Sequence, residues 1–318
     1  MVKVTYLSLK APHSGHLVWL KALKTLGHDV RATSIYSLTG IRPNHGDILI
    51  TEGVRPTIIG TLQKGLYRCW ASVACSPSIL NHLINKLYTL PDLVLAVSNL
   101  VKDLVENRAI VLYPAPPELE LLLKVETDHD VRKPWICFCG AFIPIKGVHL
   151  VPDIVHELKK EGMKVLFILI GGTEKEPQGQ LIVNKARRLG IKDYIRIVGP
   201  LPRAELFRLL RNCSIYLQPS LFDAFPISVI EAMALGVVPV VTKYVGSRDL
   251  IEIVDGSLIR EPDPKDIAEE LISLLTNPKL LKEYSYLSRI VTRNVLSFKS
   301  TLDRVKDFVE MCLDAGVR

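Results

Sequence analysis

The stretch Ser220-Leu-Phe-Asp-Ala-Phe-Pro-Ile-Ser-Val-Ile-Glu-Ala-Met-Ala-Leu-Gly-Val-Val-Pro-Val-Val-Thr242 sets two acids, Asp223 and Glu231, into an otherwise apolar run. An ionised carboxylate is costly to bury unless it is paired or hydrogen-bonded, so an acid without a partner here points to a bound ligand. Pro226 suits the first position of a helix, 227–235 reads as a short helix, and Gly236 suits its end. The valine-rich run 237–241 reads as a buried strand. Asp223 therefore falls on a loop ahead of a helix, and Glu231 about one turn inside it. Both can face a ligand on the helix N-terminus, where free backbone N–H groups favour phosphate.

The pattern continues upstream. A strand over 135–139 leads into Gly140-Ala-Phe-Ile-Pro-Ile-Lys-Gly147, and Val151, Ile154, Val155 and Leu158 then follow at helical spacing. Strands over 164–170, 194–198 and 214–218 alternate with helices over 180–189 and 203–211, and a further helix is expected near 265–275. The N-terminal half opens with a strand over 3–9, a loop to His16, a helix over 17–26 closed by Gly27, and a strand over 29–33. Near its end come a strand over 91–98, a helix over 99–107, a short strand over 110–113 and the hinge-like Pro114-Ala-Pro-Pro117. Alternation of this kind means parallel, doubly wound sheets, with ligands outside the carboxyl ends of the strands. The acid block and the Lys146 loop both fall at such ends. A cation just ahead of a helix is unfavourable, so a phosphate partner accounts for Lys146. The plainer alternatives are an exposed loop lysine and, for Glu231, an acid placed by the helix dipole.

Taken together, these residues resemble the retaining glycosyltransferases of the two-Rossmann-domain type, GT-B, within the glycosyl transferases group 1. The resemblance covers the C-terminal half almost throughout, from about 135 to 298, and the N-terminal half at the level of pattern. It implies an α/β fold of two Rossmann-like parallel-sheet domains facing across a cleft. Residues 1–117 would form the acceptor domain and 118–318 the donor domain, with the final helix over 301–313 packing back on the first. It implies that Glu231 holds the ribose hydroxyls of a nucleotide-diphosphate sugar and that Asp223, standing for the family's Glu, orients the sugar. Lys146 and the N–H groups of Ile227 and Ser228 would hold the diphosphate, with Gly140 and Phe225 also at the donor; Pro226 has no N–H to give. Lys146 and Asp223 are thus the candidate catalytic residues. Ala141 stands where the family carries an Arg, and Arg248 is a candidate replacement. In the first loop only Gly15 matches the family's paired glycines, which makes Ser14, Gly15 and His16 candidate contacts. No His follows the strand near 70–74; Cys75, Ser76 and Pro77 stand there, and the next is His82. His13 and His16 lie in the first loop, within reach of an acceptor, but the plainer reading of each is a solvated loop histidine, and neither is assigned as a base.

Composition bounds the rest. The 318 residues suit two domains of about 150 each. No apolar run approaches the ~20 residues that span a bilayer, and the N-terminus lacks a signal-peptide pattern. A cytoplasmic protein is expected, with peripheral contact at the inner membrane face. None of the six cysteines forms a C-x-x-C pair, so buried free thiols are expected. Asp128-His129-Asp130 formally fits a metal-binding Asp-x-Asp but lies in a polar linker, and no metal or cofactor is expected. No phosphate-binding loop of the Walker type or Gly-x-Gly-x-x-Gly appears. Of the net charge of +7, residues 1–117 carry +6, with twelve Lys and Arg against six Asp and Glu. The charges are scattered singly, which disfavours nucleic acid and fits an anionic acceptor, such as a lipid phosphate or acidic glycan. The rival readings are a nucleotide-sugar-binding protein without catalysis and an anion- or nucleic-acid-binding α/β protein.

Overall fold

The apolar strand runs pair into two six-stranded, wholly parallel sheets. The computed structural model describes residues 1–9, 11–35, 46–75, 85–105, 109–126 and 132–315. Two units divide them: Met1–Pro117 with Leu296–Arg318, and Glu118–Val295.

In the first unit the strands are β1 (Lys3–Ser8), β2 (Asp29–Ser34), β3 (Gly46–Glu52), β4 (Tyr67–Ala74), β5 (Leu93–Ala96) and β6 (Ala109–Val111), ordered β2-β1-β3-β4-β5-β6. The chain runs outward from β1 to β2, then returns to the other side of β1 as β3. The crevice between the carboxyl ends of β1 and β3 is thus a switch point, where doubly wound sheets place ligands. Helix Leu17–Thr25 packs through Trp19, Leu20, Ala22 and Leu23. The last helix, Phe298–Ala315, buries Val305, Phe308, Val309 and Cys312 and packs on helix Leu17–Thr25 and on β4.

The second unit holds β7 (Lys133–Cys139), β8 (Leu166–Ile170), β9 (Ile195–Gly199), β10 (Cys213–Gln218), β11 (Val238–Thr242) and β12 (Ile259–Arg260), ordered β12-β11-β10-β7-β8-β9. Its switch point lies between β7 and β10. The helical spacing in the sequence has its expected consequence: on helix Val151–Lys160, Val151, Ile154, Val155 and Leu158 are all fully buried. Each such side chain contributes roughly 1.5–3 kcal/mol of transfer free energy. The Asp223 block forms helix Ile227–Ala234, with Pro226 one place earlier than expected, as the capping residue outside the first turn. Gly236 ends it at φ 72°, in the left-handed region that a side chain disfavours. Arg132 closes the same end, donating to the Leu235 carbonyl at 2.6 Å and to that of Gly236. A guanidinium there meets the negative end of the helix dipole.

The structure adds elements the pattern did not announce: β3, helix Val54–Gln63, helix Leu119–Lys124, helix Arg248–Val254 and helix Pro278–Leu296. No disulfide joins the cysteines among the described residues; Cys75 and Cys139 are half-buried and the others buried. Among the described residues, no helix is long and apolar enough to cross a membrane.

Candidate functional site

Two loops flank the switch point of the second unit, one after β7 and one after β10. The first runs from Gly140 through a short 3-10 turn, Pro144–Lys146, to Gly147. Gly147 has φ 67°, and a Cβ there would lie 1.8 Å from the Pro219 carbonyl oxygen, so only glycine lets the two loops touch. The loops are also laced by Leu221 N–H donating to the Ile145 carbonyl at 2.8 Å. This brings Lys146 to Asp223: Nζ lies 2.5 Å from Oδ2. Asp223 is pinned through its backbone as well. Its N–H donates to Tyr244 O at 3.0 Å, its carbonyl accepts from Gly246 N–H at 2.8 Å, and it bridges Val245.

Glu231 is 2% exposed, and its Oε1 accepts from an Arg203 Nη at 2.7 Å. Arg203 is 48% exposed and also grips Glu118 with two bonds, of 3.0 and 2.6 Å. Burial raises the Glu231 pKa; the charge and hydrogen bond of Arg203 oppose the rise without cancelling it. The neighbouring Cys139 thiol is pushed up to about 12, by burial first and then by the Glu231 charge. Beneath the helix, the Tyr216 hydroxyl lies 2.8 Å from Ser228 Oγ and 3.1 Å from Gln218 Oε1, while the Gln218 amide donates to Ser220 Oγ at 2.7 Å. Ser228 thus turns its hydroxyl to the strand. No side chain caps helix Ile227–Ala234 at its N-terminus, and Phe225 is buried beside that end.

The structure corrects the sequence reading at three points. Neither acid lacks a partner: Asp223 has Lys146 from the loop after β7, and Glu231 has Arg203 from the start of helix Arg203–Asn212. The second cation among the acids is Arg203, whereas Arg248 heads helix Arg248–Val254 and donates to the Lys243 carbonyl at 2.6 Å. Arg203 carried a legible signal, since it opens helix Arg203–Asn212, where the dipole disfavours a cation just as it does ahead of Lys146. Third, His16 is not a solvated histidine. It is 2% exposed, stacks on Trp19 at a centroid distance of 4.2 Å, and sets Nδ1 3.2 Å from Glu52 Oε1 and 3.3 Å from the Tyr6 hydroxyl. Burial raises the Glu52 pKa, but the bond and charge of His16, the Tyr6 hydroxyl and the His13 N–H outweigh it and leave the carboxyl below its ordinary range. Ser14 and Gly15 form the 3-10 turn that leads to this histidine. Asp128-His129-Asp130 and His82 lie outside the described residues, as do Lys10 and Arg42, two of the twelve basic residues of 1–117.

A known family accounts for this arrangement of loops. The family model described as Glycosyl transferases group 1 matches residues 122–290, more than half of the chain, including Lys146, Arg203, Asp223 and Glu231. The chain belongs to that family. An uncharacterized glycosyltransferase of Methanocaldococcus jannaschii is 28% identical over 199 residues, which are 60% of this chain and 52% of that protein. A D-inositol 3-phosphate glycosyltransferase of Segniliparus rotundus is 28% identical over 164 residues, 50% of this chain and 36% of that one. The chain thus spans about half the length of the first relative and about a third of the second. Among solved structures, Anabaena HepE in complex with UDP superposes with a TM-score of 0.77 at 14% identity, over 97% of this chain and all of that one. The two parallel sheets are accordingly those of the GT-B glycosyltransferases, and the acid block and the Lys146 loop both lie within the matched family region.

Proposed function

We propose that this chain transfers a sugar from a nucleotide-diphosphate sugar to a hydroxyl acceptor, with retention at the anomeric carbon and without a metal ion. The observation that carries the reading is the pair of acid–cation contacts, Lys146 with Asp223 and Arg203 with Glu231, beside a helix N-terminus that no side chain caps. Each acid is held in place by its cation until a ligand arrives. The donor would then bring its diphosphate to Lys146 and to the N–H groups of Ile227 and Ser228, its ribose hydroxyls to Glu231 and its sugar hydroxyls to Asp223. Catalysis needs no protein nucleophile on this reading. It comes from orienting the acceptor hydroxyl and from stabilising the departing diphosphate. Screening UDP-, GDP- and ADP-sugars by thermal shift tests it: a ligand at 100 times its Kd adds about 2.7 kcal/mol to the folded state. Stabilisation by one of them, with release of free nucleotide in the presence of acceptor, is expected. Stabilisation without release would instead mark a binding protein, and no stabilisation by any would remove the donor site.

Metal independence follows on this reading from the phosphate charge having Lys146 and a helix end to meet it. Transfer is expected to persist in EDTA. Loss of activity in EDTA that manganese or magnesium restores would reverse this conclusion.

For the acceptor, an anionic compound presented at a membrane surface fits the +6 charge of residues 1–117. Helix Val54–Gln63 supplies a further observation. Arg55, Ile58 and Leu62 share one exposed stripe, Leu62 at 85% exposure, which is the mix that meets an anionic lipid surface. The phosphorylated polyol in the name of the Segniliparus relative is one acceptor of this chemistry. Exposed charges act over a Debye length of about 8 Å at physiological salt, so binding to anionic liposomes should fall as salt rises while donor affinity changes little. Leu62→Ser should weaken liposome binding at every salt level. Absence of binding to anionic vesicles, or equal binding to neutral ones, would count against the membrane surface.

A further inference from the structure

The switch point of the first unit holds a built polar cluster for which the donor reading has no use. Tyr6 lies on β1, Glu52 at the end of β3, and His16 on the loop that follows β1, so three elements converge exactly where a doubly wound sheet places a ligand. Glu52 accepts from the Tyr6 hydroxyl at 2.9 Å and from the His13 N–H at 3.1 Å. His16 Nδ1 faces the same carboxylate at 3.2 Å. A carboxylate surrounded in this way only accepts, so the facing Nδ1 must carry its proton. The ring is then fixed twice, by that bond and by its stack on Trp19. Its other nitrogen, Nε2, has no hydrogen-bond partner among the described residues. A buried polar atom without a partner lies on the same strand as Tyr6. Ser8, two places beyond Tyr6 on the same face of β1 and 1% exposed, has an Oγ with no partner among the described residues. A buried polar side chain without a partner is uncommon, and Ser8 together with the Tyr6, His16 and Glu52 cluster marks a place for a polar ligand.

We propose that His16 is a substrate-binding residue of the first unit, its Nδ1 proton held by Glu52 and its Nε2 lone pair accepting a hydrogen bond from a hydroxyl of the acceptor. A hydroxyl fits better than an anion, because the Glu52 carboxylate on the other side of the ring repels a negative charge brought to Nε2. The inference rests on the reading that the sugar passes to a hydroxyl. Its test uses no donor, so failure of the donor site and failure here are read separately.

The experiment is nitrogen NMR on the full chain with labelled histidine, the His16 signals being assigned by their loss in His16→Gln. In the wild-type protein at neutral pH, the His16 ring should carry hydrogen on Nδ1 and none on Nε2. Titration with the polyols glycerol, myo-inositol and sucrose should shift the Nε2 signal with at least one of them, and inorganic phosphate should not. In Glu52→Gln the Nδ1 preference should be lost. Hydrogen on Nε2 in the wild type overturns the proposal. So does a shift with phosphate alone, which would make the cluster an anion site, or no shift with any polyol.

Discussion

Replacing Lys146 by alanine is expected to slow turnover by about 10²–10³-fold, the loss of roughly 2.7–4 kcal/mol found when a single oxyanion donor is removed. Donor affinity should fall far less. The charge on the diphosphate grows as the sugar bond breaks, so a fixed cation stabilises the transition state more than the ground state. Two structural facts sharpen the expectation. Ala141 provides no second charge on the Lys146 loop, and Arg203 is committed to Glu118 and Glu231. Losing Lys146 also takes the ion-pair partner from Asp223, a largely buried acid, so the sugar-orienting group would be disturbed along with the leaving group. Steady-state kinetics beside calorimetry of donor binding separate the two effects. Turnover unchanged in Lys146→Ala would remove the residue from the mechanism, whatever happens to affinity.

The second large effect is at Glu231. Glu231→Ala should weaken free nucleotide and nucleotide sugar alike, by roughly 10- to 150-fold, since hydrogen bonds to a charged group are worth about 1.5–3 kcal/mol and both ligands carry the ribose. Asp223→Ala should impair use of the sugar and leave free nucleotide nearly unaffected. Equal losses of nucleotide affinity at the two positions would contradict this division. The raised Glu231 pKa adds a test that binding alone does not provide. A carboxyl whose pKa is higher in the folded than in the unfolded chain holds its proton more tightly when folded. Its contribution to stability is therefore full below the ordinary glutamate range and is lost as pH rises through the raised value. Wild-type protein should lose stability over that window, and Glu231→Gln should not. The variant leaves no buried cation stranded, because Arg203 is half exposed and keeps Glu118. At neutral pH, Glu231→Gln should accordingly match or exceed wild type in melting temperature while binding nucleotide less well. Lower stability together with intact nucleotide affinity would sink the assignment.

How much of this was legible in the sequence follows the range of the interactions involved. The acid block could be read because its signals are local. Gly236, the valine run and the apolar spacing each dictate the conformation of their own neighbours, and the ends of helix Ile227–Ala234 and of β11 fall within a residue of expectation. Helix Val54–Gln63 went unread because its apolar side chains do not fall on one face: Ile58 and Leu62 are exposed while Pro56, Thr57 and Gly60 are buried. Counter-charges were invisible for a different reason. Arg203 reaches Glu118 across 85 positions and Glu231 across 28, and only the folded sheet brings them together. His16 was misread for the same cause. Nothing in Pro12-His-Ser-Gly-His16 announces a buried ring, since its cage comes from Tyr6, Trp19 and Glu52 on three separate elements.

The last helix has a consequence for the birth of the protein. Helix Phe298–Ala315 belongs to the first unit, yet the whole of residues 118–295 is translated before it. At a synthesis rate of about 5–20 residues per second, the surfaces of helix Leu17–Thr25 and β4 that it covers stay bare for roughly 10–40 s. The second unit is continuous in sequence and can complete itself during that wait. The first cannot, because Val305, Phe308 and Val309 have yet to leave the ribosome. The second unit can therefore complete its fold before the first, although it is synthesised later.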